Sequence, residues 1–360
     1  MFTARCVVMA LGLAQAGSPS SASIVRDRIG EELDRHLAKI ALKGYSGAVI
    51  VAKDGKIILR KGYGYANREK GLPVTPDTVF TIGSITKQFT GAAIVKLEMQ
   101  GKLRVTDTID QYFQDVPEDK KGITLHQLLT HTAGIPNILG GDFDTSATQQ
   151  VVLRLAMQSE LTSKPGSKHA YSNLGYSLLG MIVEKASGMG YEAYLREHLF
   201  KPAGMLQTGY VLPKFAPDSL AIGYRKDQPW GTVLGHPMLK DGPCWHLRAN
   251  GGIHSTIGDM YKWHVALLGT KILSDEAKKK YFAPHVDEGY GDSFYGYGWV
   301  TFKTVRGTKM LGHNGGNMIF FADFNRYVDE GVVIFHATNS TKYNPKRISN
   351  DLARIVFAKR

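Results

Sequence analysis

The apolar positions of this chain change their period along its length, and the changes divide it into segments. From Ile24 to Leu42 they recur at helical spacing (Ile24, Ile29, Leu33, Leu37, Ile40, Ala41), which predicts an amphipathic helix. Two strand-like runs follow, Ser46–Lys53 and Lys56–Tyr63, separated by Asp54-Gly55, a dipeptide suited to a two-residue hairpin turn. Beyond Ser84 the middle of the chain reads as helical. Apolar residues stand at helical intervals in Leu125–Thr130, Ser172–Lys185 and Tyr191–Leu199, with Gly and Pro loops between. Strand signals return in Phe294–Thr304, Thr308–Gly312, Asn317–Phe324 and Gly331–Thr338, with turns expected at Arg306-Gly307 and Asn325–Glu330. A closing helix is expected over Pro345–Ala358.

This order predicts an α+β fold. Residues 23–83 and 290–360 form an antiparallel sheet flanked by the two terminal helices, and residues 84–289 form an inserted, mainly helical domain. Small-molecule sites concentrate at such junctions, so the active cleft is expected between the two parts.

Composition narrows the function by exclusion. The 360 residues carry 44 Lys and Arg against 32 Asp and Glu, a net charge of +12, but the basic residues are scattered. Zinc-finger spacing, RNA-binding signatures and basic zippers are missing, so no nucleic-acid partner is expected. No run approaches the roughly 20 apolar residues of a membrane-spanning helix. Met1–Ala16 has the form of a secretory signal peptide: Arg5, the apolar run Cys6–Leu13, then Ala14-Gln15-Ala16. Cleavage after Ala16, or as late as Ala22, leaves Cys244 as the one cysteine. An exported, periplasmic or secreted protein without disulfides is expected.

The candidate chemistry begins with absences. The chain has no G-x-S-x-G elbow, no H-E-x-x-H and no Walker loop. His126 and His131 lie close in sequence without the carboxylates that a metal site needs. What remains is Ser84-Ile85-Thr86-Lys87, the only S-x-x-K, at the start of an apolar helix. Residues three apart share a helix face, so the Lys87 amine reaches the Ser84 hydroxyl, and the helix dipole points its positive end at that serine. Serine–lysine pairs of this kind serve as nucleophile and base.

Two further elements complete the set. Tyr171-Ser172-Asn173 precedes an apolar helix. A phenol beside a lysine ammonium is expected to favour its ionised form and to shuttle a proton, and Asn173 offers an amide to substrate and lysine. Tyr65-Ala66-Asn67 has the same spacing but lacks the loop-to-helix setting. His313-Asn314-Gly315-Gly316 is the only H-x-G, on a predicted strand. There the Gly316 N–H, with that of Ser84, can form an oxyanion hole.

Taken in order, Ser84-x-x-Lys87, Tyr171-x-Asn173 and His313-x-Gly315 resemble the motifs of the penicillin-recognising serine hydrolases of the class C β-lactamase, DD-peptidase and esterase type. Pro73–Phe80, Leu128–Gly134, Pro165–Ser177, Pro202–Met205, Gly251-Gly252-Ile253 and Gly298-Trp299 extend the resemblance over about Tyr45 to Thr338. It implies a β-lactamase/transpeptidase-like fold and a Ser84 acyl-enzyme. Lys87 and Tyr171 would move the proton, and Asn173, His313, Gly315 and Gly316 would hold a β-lactam, D-amino-acid peptide or small ester. Neither metal nor cofactor is called for. One departure stands out: Lys-Thr-Gly, which class C β-lactamases carry at the third motif, is absent, and His-x-Gly is more typical of D-residue peptidases and esterase-like members. Loops near Asn137–Thr145 and Leu212–Asp241 are expected to line the cleft. Two other readings share these features: a penicillin-binding protein or sensor that acylates without turnover, and an inert basic protein that binds envelope polymer or nucleic acid.

Overall fold

A computed structural model describes residues 22–137, 147–225, 227–236 and 238–358 of the chain. The proposed signal segment and most of the Asn137–Thr145 loop lie outside the described residues.

Nine strands among the described residues form one antiparallel sheet. In chain order they are β1 (Ile24–Val25), β2 (Gly47–Lys53), β3 (Lys56–Tyr63), β4 (Val286–Asp287), β5 (Ser293–Tyr295), β6 (Val300–Lys303), β7 (Lys309–Gly316), β8 (Phe321–Tyr327) and β9 (Val332–Thr338). The spatial order is β1-β3-β2-β9-β8-β7-β6-β5-β4, so the end of the chain pairs with its beginning through β9 and β2. The β2–β3 hairpin closes at Asp54-Gly55, where both residues have positive φ (50° and 74°), the conformation a type I′ turn demands.

Side chains alternate across the sheet. One face buries Val49, Val51, Leu59, Val332 and Ile334 against the terminal helices α1 (Asp27–Ala41) and, at the far end of the chain, Ile348–Val356. The other face buries Ala48, Ile50, Phe324, Val333 and Phe335 in the larger core, which continues into the helical part. At the centre of that core runs α2 (Thr86–Met99). It is buried nearly all round, as its apolar composition requires, and packs against α3 (Asn173–Ser187). The middle segment is less purely helical than expected, because short ribbons such as Gly223–Arg225 with Gln228–Gly231 interrupt it.

Two strand expectations are corrected. Phe294–Thr304 is not one strand: it folds back at Gly296–Trp299, where Gly296 N donates to Trp299 O (2.7 Å), and gives β5 and β6. Asn317–Phe324 begins four residues too early, because the Asn317 side chain accepts from Ile319 and Phe320 N–H and makes residues 317–320 a tight turn. Asn325 and Arg326 are therefore strand residues, and the next turn falls at residues 328–331.

Candidate active site

Ser84 sits in a single 3-10 turn, Gly83–Ile85, that leads directly into α2. Lys87 follows one turn later and is fully buried. Its Nζ lies 3.1 Å from Ser84 Oγ, 2.6 Å from Asn173 Oδ1 and 2.8 Å from the Asn250 carbonyl oxygen. The last two are acceptors only. A neutral Lys87 amine therefore gives its two hydrogens to Asn173 and Asn250 and turns its lone pair toward the Ser84 hydroxyl. That is the geometry of a general base.

The second motif is built by a helix cap. Ser172 is the N-cap of α3, its Oγ accepting from Gly175 N (3.0 Å), which leaves the Asn173 side chain for Lys87. Tyr171, just before the cap, donates its phenol to Ser84 Oγ at 2.9 Å. The expectation of a favoured phenolate is reversed. Burial pushes the Tyr171 phenol up and the negative charge of Glu288 adds to it, against the opposing hydrogen bond to Ser84, while Lys87 Nζ stands over the ring face, 4.8 Å from its centroid, rather than at the phenol oxygen. Tyr171 is thus a neutral hydroxyl that donates to the serine. Tyr65 is half-exposed and its segment is tied to Ser46 and Asn339, so the alternative Y-x-N motif has no part in the site.

The third motif lies on β7, which runs against the serine turn backbone to backbone. A Cβ on Gly315 would stand 2.2 Å from Ile82 O and 2.5 Å from Ser84 N, and one on Gly83 (φ +53°) would stand 2.7 Å from Gly316 N. No side chain fits at either position. Asn317 N donates to Phe320 O, so in the alternating ladder the Gly316–Phe321 pair is a non-bonded one. The Gly316 N–H consequently leaves β7 by the edge away from β8, on the side of Ser84.

His313 is buried and neutral. Its Nδ1 meets the Asn314 carbonyl (2.6 Å) and so carries the hydrogen, and its Nε2 accepts from Tyr295 OH (3.0 Å). Burial, then the Lys87 charge, lower its pKa to about 3. Ser84, Tyr171, Asn173, His313, Gly315 and Gly316 line one cleft of about 410 Å³. The seven residues singled out by sequence thus meet at one place, Lys87 beneath the floor and the rest at its surface.

The Beta-lactamase family model matches residues 33–359. The chain belongs to that family. Relatives of this beta-lactamase-family chain include a penicillin-binding protein of Bacillus subtilis (strain 168), 29% identical over 314 residues that make up 82% of this chain and 68% of the relative. An octameric penicillin-binding protein homologue from Pyrococcus abyssi superposes with a TM-score of 0.80 at 27% identity, covering 92% of this chain and 78% of its own. The fold is shared with D-amino acid amidase from Ochrobactrum anthropi SV3, with a TM-score of 0.76 at 22% identity, covering 91% of this chain and 97% of that one. The family match and the penicillin-binding relatives place the chain among penicillin-binding-like serine hydrolases.

Sequence reasoning missed several residues of this site. Asn250 contributes a main-chain carbonyl, which carries no side-chain signal. Tyr295 and Glu288 line the cleft from β5 and the turn before it, a region whose fold-back the sequence reading did not find. His131, seen only as one of two neighbouring histidines, adopts a positive φ (58°), packs tilted against the Tyr171 ring with centroids 4.2 Å apart and accepts at Nδ1 from Ser172 N (3.0 Å). His126 instead meets Tyr297 OH at 2.8 Å. No group of three or more His, Cys, Asp or Glu side chains among the described residues is gathered for a metal ion. No described helix is long and apolar enough to cross a membrane. The described residues of the 212–241 loop do not line this cleft, contrary to expectation.

Proposed function

We propose that the protein is an exported serine hydrolase that works through a Ser84 acyl-enzyme, on D-amino-acid peptides, amides or small esters, with β-lactams as poorer substrates. The observation that carries this reading is Ser84 Oγ held between Lys87 Nζ and Tyr171 OH, at 3.1 and 2.9 Å. Lys87 takes the Ser84 proton as Oγ bonds to the substrate carbonyl carbon. The Ser84 and Gly316 N–H groups receive the resulting oxyanion. Tyr171 then protonates the leaving group and is replenished from Lys87, and water releases the acyl group by the reverse proton path. The neutral His313 favours these substrates over β-lactams, since it offers no positive charge to a substrate carboxylate.

The test is intact-protein mass spectrometry after mixing with a penicillin or an alkyl fluorophosphonate, with free drug followed in parallel. An adduct on the Ser84 peptide, absent in Ser84→Ala, supports the nucleophile; retained labelling in Ser84→Ala overturns it. A lasting penicilloyl adduct with little drug consumed turns the reading toward a non-turnover penicillin-binding protein.

A further inference from the structure

We propose that the cleft selects substrates whose acyl group carries an ammonium, held by Glu288. This rests on the acyl-enzyme reading above and names the substrate class within it. Among the described residues, no lysine or arginine side chain lines the cleft. Lys87 lies beneath it with its Nζ held among Ser84, Asn173 and Asn250. His313, at the position where a cation would be presented from β7, directs its one N–H to the Asn314 carbonyl and offers the Tyr295 hydroxyl only a lone pair.

The charge in the cleft has the opposite sign. Glu288 lines it from the turn between β4 and β5. That turn is fixed: Glu288 N donates to Ser293 O at 3.1 Å, and Ser293 Oγ donates to Glu288 Oε2. One carboxylate oxygen is thereby anchored, and the position of the other is set with it. The Glu288 charge reaches Tyr171 and Tyr295, making ionisation of both phenols harder, so it acts at the nucleophile's own neighbours. A substrate carboxylate here meets like charge, whereas an ammonium meets a held carboxylate oxygen. Charge complementarity of this kind discriminates between partners more than it strengthens any one of them.

The experiment compares kcat/KM for three p-nitroanilides of one amino acid, in both enantiomers: with a free α-amino group, N-acetylated and N-succinylated. The expected order for the wild type is free amine over N-succinyl by at least about tenfold, chiefly through KM, because a contact made in ground state and transition state alike lowers KM. Glu288→Lys is expected to invert that order, a result that partial misfolding does not produce. Equal or better turnover of the N-succinyl substrate by the wild type, or an unchanged order in Glu288→Lys, overturns the proposal. If no anilide is cleaved while a fluorophosphonate still labels Ser84, the ammonium specificity fails and the nucleophile stands. If labelling fails too, both readings fall.

Discussion

The two faces of the central sheet bury similar strands against very different partners. Under α1 and the closing helix Ile348–Val356, Val49, Val51, Val332 and Ile334 meet Leu33, Leu37, Ile348 and Leu352, an apolar contact with little directional chemistry. On the other face the apolar core is interrupted near Ser84 by Lys87, His131 and His313, all buried, with Tyr171 over them. Burying such groups costs free energy unless each finds a partner. Lys87 has at least three, His313 has two, and His131 accepts from Ser172 N at Nδ1 and packs against the Tyr171 ring, with its Nε2 alone lacking a hydrogen-bond partner among the described residues. The first face holds the sheet together by area; the second holds one serine by direction.

That contrast makes the largest expected effect a catalytic one. Tyr171→Phe removes the hydroxyl at 2.9 Å from Ser84 Oγ and keeps the ring that packs against His131. Turnover should fall by roughly 10²–10⁴, the usual contribution of a positioned acid–base group. Thermal stability should change little. Single-turnover acylation rates and a melting curve on the same preparation check both halves. Unchanged turnover would leave Lys87 as the sole proton carrier.

The opposite face should show the complementary split. Leu352→Ala empties a fully buried position on the closing helix. It should cost about 2–5 kcal/mol of stability, the range for truncating a buried leucine. Activity at 25 °C should stay as in the wild type. Urea unfolding and kcat/KM measured together decide it; a parallel loss of catalysis would mean that the two faces are coupled through the sheet.

The same division governs how much could be read from sequence. Periodicity found α1, the β2–β3 hairpin and the closing helix, because area-driven packing writes itself as a repeating apolar pattern. It also found α2, whose buried faces leave few polar positions. It failed at Gly296–Trp299 and Asn317–Phe320, where a main-chain or Asn side-chain hydrogen bond makes a tight turn inside an aromatic, strand-like run. The motif residues were legible because their spacing is local: Ser84 to Lys87 is one helical turn. What joins the motifs is backbone contact, and only the glycines hint at it. Gly315 is required by the main chain of Ile82 and Ser84, a partner more than two hundred residues distant in sequence. The roles of Asn250, Tyr295 and Glu288 depend on such long-range placement, which leaves no local trace.

The smallest effect compares one residue type on both faces. His313 and His336 are both buried, and burial lowers both pKa values to about 3. An unfolded histidine takes up its proton near pH 6.5, so between about 6.5 and 3 the unfolded state binds more protons than the folded one. Each histidine therefore weakens the fold progressively as pH drops through that window. Asp323, the cross-strand neighbour of His336, works the other way: its carboxyl, raised to about 6, favours the folded state as pH falls from about 6 toward 3.8. The partners of the two histidines differ. His313 makes two hydrogen bonds, whereas neither ring nitrogen of His336 has a hydrogen-bond partner among the described residues. Replacing an unsatisfied buried polar group by an apolar one of similar size removes its desolvation cost, about 1–3 kcal/mol. His336→Leu should accordingly raise stability at pH 7 by about 1 kcal/mol and flatten the acid limb of the stability profile. His313→Leu also removes an acid-sensitive group, but it leaves the Tyr295 hydroxyl without its acceptor beside the nucleophile, so stability and turnover should both fall. Urea midpoints from pH 4 to 7 for the two variants separate the cases. If both variants stabilise, the hydrogen bonds of His313 contribute nothing to the fold, and the contrast between the two faces is one of catalysis alone.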